Sequence, residues 1–126
     1  MRTIQICILI NMSFLSCTVI GTRKTDWFPA KVLTISEGYA NINTDITEPQ
    51  LTEHRIVQGT KFEVMFENHT MKAMLGKTYS DVDKGKWIAL IEEDGKLQIA
   101  ISFGHAATDI GCKAGDTVYI KSQPKE

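Results

Sequence analysis

Nothing in this sequence is arranged to hold a metal. Its three cysteines, Cys7, Cys17 and Cys112, include no CxxC pair, and its histidines, His54, His69 and His105, lie far apart. The ligand spacing on which zinc sites depend is therefore missing. An excess of charge of one sign is missing too. Lys and Arg number 14 against 15 Asp and Glu, the formal net charge is -1, and the basic residues are scattered. A chain without a basic face has no electrostatic footprint for nucleic acid or for an anionic membrane surface. Gly104, Gly111 and Gly115 are too spread out for a phosphate-cradling loop, and no cofactor is implied. Ser80 and Asp81 are neighbours with no histidine near them in sequence, so spacing suggests no nucleophile–base pair. Internal repeats are absent, and biased composition is confined to the tail Gln123-Pro124-Lys125-Glu126.

What is present begins with an apolar leader. Arg2 gives a positive start, and Ile4 to Ile20 is largely apolar. That run is short for a bilayer span, which takes about 20 apolar residues, and suits the hydrophobic region of a secretory signal over residues 1–21. Two processing routes stay open. Val19-Ile20-Gly21 offers small residues for ordinary signal peptidase. Phe14-Leu15-Ser16-Cys17 resembles a loose bacterial lipobox, with Cys17 as the lipidated residue. A third reading keeps the segment as an apolar anchor. The expected location is outside the cytoplasm: periplasmic, extracellular or lipid-anchored. Contact with a membrane would come only through that anchor or an uncleaved signal. Residues 22–26 read as a polar linker.

At 126 residues, with 43% hydrophobic and 23% charged, the remainder fits one globular domain with a modest core. From Trp27 to Ser122 the turn signals recur every eight to twelve residues. Trp27–Ile35 is strand-like, with Pro29 near its start, where a missing N–H is tolerated. Ser36-Glu37-Gly38 is a turn, and Asn41–Ile46 a short polar strand or loop. Thr47–Gly59 holds Pro49 and several charges without a period, and reads as an exposed connection. Phe62, Val64 and Phe66 alternate with Glu63 and Met65, a strand pattern. Glu67-Asn68-His69 turns the chain, and Thr70–Leu75 returns as a hairpin arm. Lys77–Gly85 is a loop, Trp87–Ile91 an apolar strand, and Glu92-Glu93-Asp94-Gly95 an acidic turn.

The most self-consistent unit is Leu97–Ile120. Leu97, Ile99 and Ile101 alternate with Gln98, Ala100 and Ser102, and Gly104 ends that strand. His105–Ile110 suits one or two helical turns stopped by Gly111. Lys113-Ala114-Gly115-Asp116 is a tight turn in which Gly115 is free to take positive φ. Thr117-Val118-Tyr119-Ile120 makes a closing strand. The fold class this predicts is all-β: a small barrel or sandwich of about seven short strands, with one short helix near the C-terminus.

Three stretches, in order, carry a resemblance. They are Tyr39-Ala40-Asn41-Ile42-Asn43-Thr44-Asp45-Ile46; Thr78-Tyr79-Ser80-Asp81-Val82 followed by Gly85; and the Leu97–Ile120 unit with its Gly-x-Ala-Ala and Gly-Asp-x-Val. Together they resemble the C-terminal barrel domain of the S-adenosylmethionine hydroxide adenosyltransferases, relatives of the chlorinases and fluorinases, which hydrolyse S-adenosylmethionine to adenosine and methionine. In that family the catalytic residues lie in an N-terminal α/β domain, and the barrel supplies one wall of an adenosine pocket at a subunit interface. With only residues 1–26 ahead of the barrel, catalysis by this chain alone is not expected.

The resemblance implies site residues. Tyr39 takes the position that stacks on adenine and Asn41 the amide that hydrogen-bonds its edge. Read on residues alone, Tyr39 serves equally as a packed barrel tyrosine and Asn41 as a turn asparagine. From the opposite wall, Asp94, Ser102, His105 and Ala106 would approach the ligand. The family's neutral Asn-Ser-x-Gly turn is acidic here, Glu92-Glu93-Asp94-Gly95, and this disfavours anionic ligands. The expectation is a stand-alone, non-catalytic ligand-binding or interaction module for an adenosine-like molecule. The alternative is the accessory half of a split adenosyltransferase, with a homo-oligomer or a separate α/β catalytic subunit as partner.

Overall fold

The computed structural model describes residues 26–123. The leader reading, Cys17, the linker up to residue 25 and the last three residues of the tail lie outside them. Seven strands close into one barrel in the order β1-β2-β6-β5-β4-β3-β7. In chain order they are β1 (Phe28–Ile35), β2 (Ile42–Thr47), β3 (Lys61–Phe66), β4 (His69–Leu75), β5 (Trp87–Ile91), β6 (Lys96–Ile101) and β7 (Thr117–Ser122). Closure gives every strand a partner on each side, so none is an edge strand along its whole length.

Alternation builds the interior. Ala30 and Val32, Phe62 and Val64, Leu97 and Ile99, and Val118 and Ile120 all point inward and are at most 1% exposed. Pro29 faces out of β1 and pairs in register with Tyr119. At the β3–β4 turn only Glu67 and Asn68 intervene, because Phe66 pairs with His69, so His69 opens the second arm rather than belonging to the turn. Gly115 has a φ of 96°, as the tight turn requires, and its N–H donates to Val32 O at 2.9 Å. Gly111 ends the C-terminal helix α2 (Ala106–Ile110) in the left-handed region at φ 77°. Cys112 behind it is buried, and burial, with Asp116 and Glu67 nearby, pushes its thiol up to about 11.

One expectation needs correction. The connection from Thr47 to Gly59 is not simply exposed: it carries a second helix, α1 (Glu48–Glu53). Thr47 and Gln50 form a reciprocal capping box, and Pro49 sits in the first turn, where its lost N–H costs nothing. α1 and the loop after it place Leu51 and Ile56 in the core at 0% and 1% exposure. Two buried apolar side chains of this size contribute about 1.5–3 kcal/mol each, which outweighs the poor intrinsic stability of a one-turn helix.

The feature that positions the site is the link from β4 to β5. These strands pair in parallel, Ala73 against Trp87 and Leu75 against Ala89, so the chain must cross over between them. The crossover, residues 76–86, lies on the outside of the barrel. There Ile88, Leu90 and Ala100 form a second small cluster, covered by Met74 and Val82. Gly76 lets it pack closely, since a Cβ there would lie 2.8 Å from Asp81 Oδ2 and 2.9 Å from Ile88 Cδ1.

Candidate functional site

The β1–β2 connection, residues 36–41, turns through Gly38 (φ 87°) and Ala40 (φ 53°) and closes with Ser36 N–H donating to Asn41 O at 2.9 Å. Its tip presents Tyr39, 65% exposed, while Asn41 behind it is only 7% exposed. Ala107 N–H donates to Ala40 O, which fastens the connection to α2. After β6 the chain reverses at Phe103, with φ 59°, leaving that ring 73% exposed. A non-glycine residue in the left-handed region and a phenyl ring in water are both unfavourable in isolation. They occur at the same residue, on the rim of an open cleft.

That cleft, about 210 Å³, is lined by Tyr39, Asn41, Tyr79, Ile101 and Phe103. Tyr79 arrives from the crossover, in a 3-10 turn over Tyr79–Asp81. Asp81 fixes that turn by accepting from Lys77 N–H at 2.7 Å and Thr78 N–H at 3.2 Å, bonds that hold its carboxyl below the usual range. Lys84 Nζ lies 4.8 Å from the centre of the Phe103 ring.

A chain of polar side chains runs along the outer face of the sheet beneath Tyr79. Tyr79 Oη donates to Gln98 Oε1 at 2.6 Å, and Asn41 Nδ2 donates to Tyr79 Oη at 3.2 Å and to Gln98 Oε1 at 3.3 Å. Gln98 Nε2 donates to Asn43 Oδ1 at 2.8 Å, and Asn43 Nδ2 donates to Thr34 and Ser36 hydroxyls, both at 3.0 Å. The 2.6 Å contact suits O–H···O and is short for N–H···O, so the Gln98 atom facing Tyr79 is its oxygen. Asn41 must then turn its NH₂ toward that oxygen. The NH₂ of Asn41 thus faces both Tyr79 Oη and Gln98 Oε1, and among the described residues no donor reaches its Oδ1. The amide therefore offers a ligand an acceptor. Burial and the nearby Glu92 raise the Tyr79 pKa above 10.0, so its hydroxyl keeps its proton at neutral pH.

The residues implied by the resemblance divide into three groups. Tyr39 and Asn41 line the cleft, and His105 stacks on Tyr39 at its rim with ring centres 6.3 Å apart. Ser102 and Ala106 are buried beside it, at 1% and 0% exposure, and Ser102 Oγ has no hydrogen-bond partner. Asp94 is elsewhere: it accepts from Lys96 N–H at 2.9 Å and lines a neighbouring groove with Thr34, Ser36, Asn43 and Glu92. Tyr79, Gln98 and Phe103 are the site residues that sequence reasoning missed. Tyr79 lay within a quoted motif, and the usable signal was a tyrosine in an otherwise polar loop. Among the described residues no three His, Cys, Asp or Glu side chains converge to hold a metal, and no helix is long and apolar enough to cross a membrane.

The fold and this site define a closed seven-stranded barrel with an aromatic and amide cleft on its rim. Residues 30–119 match the family model described as the SAM hydroxide adenosyltransferase C-terminal domain, and the chain belongs to that family. No curated protein matches it. Solved structures share the fold, among them the following two. An uncharacterized conserved protein from Thermotoga maritima superposes with TM-score 0.71 at 23% identity, covering 77% of this chain and 36% of that one. A conserved hypothetical protein from Thermus thermophilus gives TM-score 0.53 at 24% identity, covering 76% and 36%. This chain thus spans about a third of the length of each.

Proposed function

We propose that this barrel is a non-catalytic binding module for an adenosine-like molecule, held by its base between exposed aromatic rings. The observation that carries this reading is the cleft lined by the exposed residues Tyr39 and Phe103 beside an Asn41 amide whose Oδ1 makes no hydrogen bond among the described residues. An aromatic platform of this kind contributes about 1–3 kcal/mol per stacked base. One hydrogen bond from an exocyclic amine to Asn41 Oδ1 adds about 0.5–1.5 kcal/mol. A single wall of this size binds on the order of millimolar. The acceptor favours a 6-amino purine over a 6-oxo purine, and Glu92, near enough to act on Tyr79, favours nucleosides over nucleotides. NMR titration of the protein with adenosine tests this. Shifts confined to Tyr39, Asn41, Tyr79 and the 101–105 loop are expected, with weaker shifts from inosine. Their absence at millimolar adenosine overturns the reading in favour of a bare interaction domain.

A second reading has its own support. The cleft is open on one side, the matched family is named for a C-terminal domain, and the solved relatives are nearly three times longer than the part this chain covers. The barrel then acts as the accessory half of an S-adenosylmethionine hydrolase, with its second wall on a separate α/β chain or on another copy. Adenosine release from S-adenosylmethionine only on mixing such a chain with this one is the expected result. The apolar run Ile4–Ile20 is proposed to export the protein. Mass spectrometry of protein made in a bacterial host should find a terminus after Ser16 or Gly21, and an intact Met1 in the cytosol overturns export.

A further inference from the structure

Across the crossover from the aromatic cleft lies a groove of about 460 Å³, lined by residues from three separate stretches of chain. Lys61 comes from β3, Lys72 from β4 and Lys86 from the end of the crossover, and all three are exposed. The apolar part of the lining is Met74 and Val82 from the outer cluster and Trp87, a half-buried residue that also packs against the barrel core beside the buried Ala73. The register explains the opening. Trp87, the first residue of β5, pairs with Ala73, so β4 from His69 to Lys72 runs on with no β5 partner on that side. The seam between two parallel strands is left open there.

We propose that this groove is a second binding site, for a small organic anion with a flat apolar group. The apolar part lies on Trp87 and Met74 and the phosphate or carboxylate sits among the three ammonium groups. The lining carries three lysines against two carboxylates, an excess of positive charge that attracts an anion, although Glu63 lies opposite Lys72 in register on β3 and offsets part of it. Two carboxylates also border the groove and oppose an anion to different degrees. Asp81 is turned to the N–H groups of Lys77 and Thr78, which offset its charge. Asp83 has no such partner among the described residues and is the residue that weakens the site. The aromatic cleft differs, with no charged residue in its lining, a single cation, Lys84, over the Phe103 ring and Glu92 near its tyrosine. The groove is therefore not an extension of the nucleoside site, and the proposal stands without that reading.

The test uses Trp87 fluorescence in full-length protein carrying Trp27→Phe, since these are the only two tryptophans. Phenyl phosphate should change the emission saturably at millimolar concentration and should bind more tightly than benzoate or inorganic phosphate. The double variant Lys72→Gln, Lys86→Gln should weaken it about tenfold, and Asp83→Asn should strengthen it about threefold, as charge changes near a partly exposed site do. A response that is absent, linear or unchanged in the lysine variant overturns the site. Equal binding of inorganic phosphate overturns the role of Trp87, and equal binding of benzoate overturns the role of the lysine cluster.

Discussion

The two depressions on this barrel border the same crossover and are made of opposite materials. On one side Tyr79 leans over an amide chain and, with Tyr39 and Phe103, forms an aromatic cleft with no charged residue in its lining and Lys84 over its rim. On the other side Lys86, with Lys61 and Lys72, surrounds the Trp87 ring in a charged groove. Eleven residues, 76–86, therefore set the geometry of both. The difference between them lies in what holds each in place. Tyr79 is fixed by hydrogen bonds to Gln98 and Asn41, whereas the three lysines of the groove are exposed side chains set out by strand register and by the crossover. The first is a preorganised site, which loses less entropy on binding, and the second an adaptable one.

The largest effect should come from loosening what the two share. Gly76→Val places carbon against Asp81 and Ile88, both already within 2.9 Å of an ideal Cβ. Overpacking of this kind costs about 1–3 kcal/mol. Urea unfolding should show a lower midpoint, and titrations should show both depressions impaired together. A variant as stable as the parent, with either site intact, would mean that the crossover does not organise them.

How far the sequence foretold this pair is itself instructive. Period-2 alternation at Phe62-Val64-Phe66 and Leu97-Ile99-Ile101 was enough to place strands, and Gly111 and Gly115 enough to place turns, because those signals are local. The α1 helix was not visible as a period, since six residues make less than two turns, although Thr47, Pro49 and Gln50 spell a capping box. The parallel β4–β5 pairing could not be read at all, because barrel closure depends on contacts between distant segments. For the same reason Tyr39 and Asn41 were accessible from resemblance, but the partners that orient Asn41 lie 38 and 57 residues away in sequence. Asp94, which a linear match set in the pocket, is carried by its turn to the next groove.

Next in size is Tyr39→Ala. Removing a stacking platform should weaken adenosine by about 1–3 kcal/mol, as judged from base stacking elsewhere. Phenyl phosphate binding in the lysine groove should not change. Loss of both would show that the two sites are one. His69→Ala, at the start of β4, should leave adenosine binding unaltered.

Tyr79→Phe should do less, and differently. It keeps the ring but removes the hydroxyl that donates to Gln98 and accepts from Asn41, so Asn41 is left with only its longer bond to Gln98, which stays tied to Asn43. Adenosine should weaken by about 0.5–1.5 kcal/mol, the net worth of a hydrogen bond. The preference for adenosine over inosine should narrow, because an Asn41 held by one bond instead of two turns its NH₂ toward a ligand more readily. Calorimetry with both nucleosides measures this. An unchanged preference would mean that Tyr79 does not orient Asn41.

The smallest expected change concerns charge alone. Glu92 lies close enough to Tyr79 to help raise its pKa, second to burial. Glu92→Gln should therefore lower that pKa, seen as earlier tyrosinate absorbance on alkaline titration, while burial keeps it above the ordinary value. Because the folded-state pKa is raised, stability drawn from this group is complete below pH 10.0 and declines as pH rises beyond it. The variant should show less of that alkaline decline. The same substitution should let adenosine monophosphate approach adenosine in affinity, by a factor of about three, since an exposed charge acts weakly through water. The lysine groove, on the far side of the crossover, should be unaffected. If Glu92→Gln instead changed phenyl phosphate binding as much as nucleotide binding, the two depressions would share one field, and the contrast between them would be wrong.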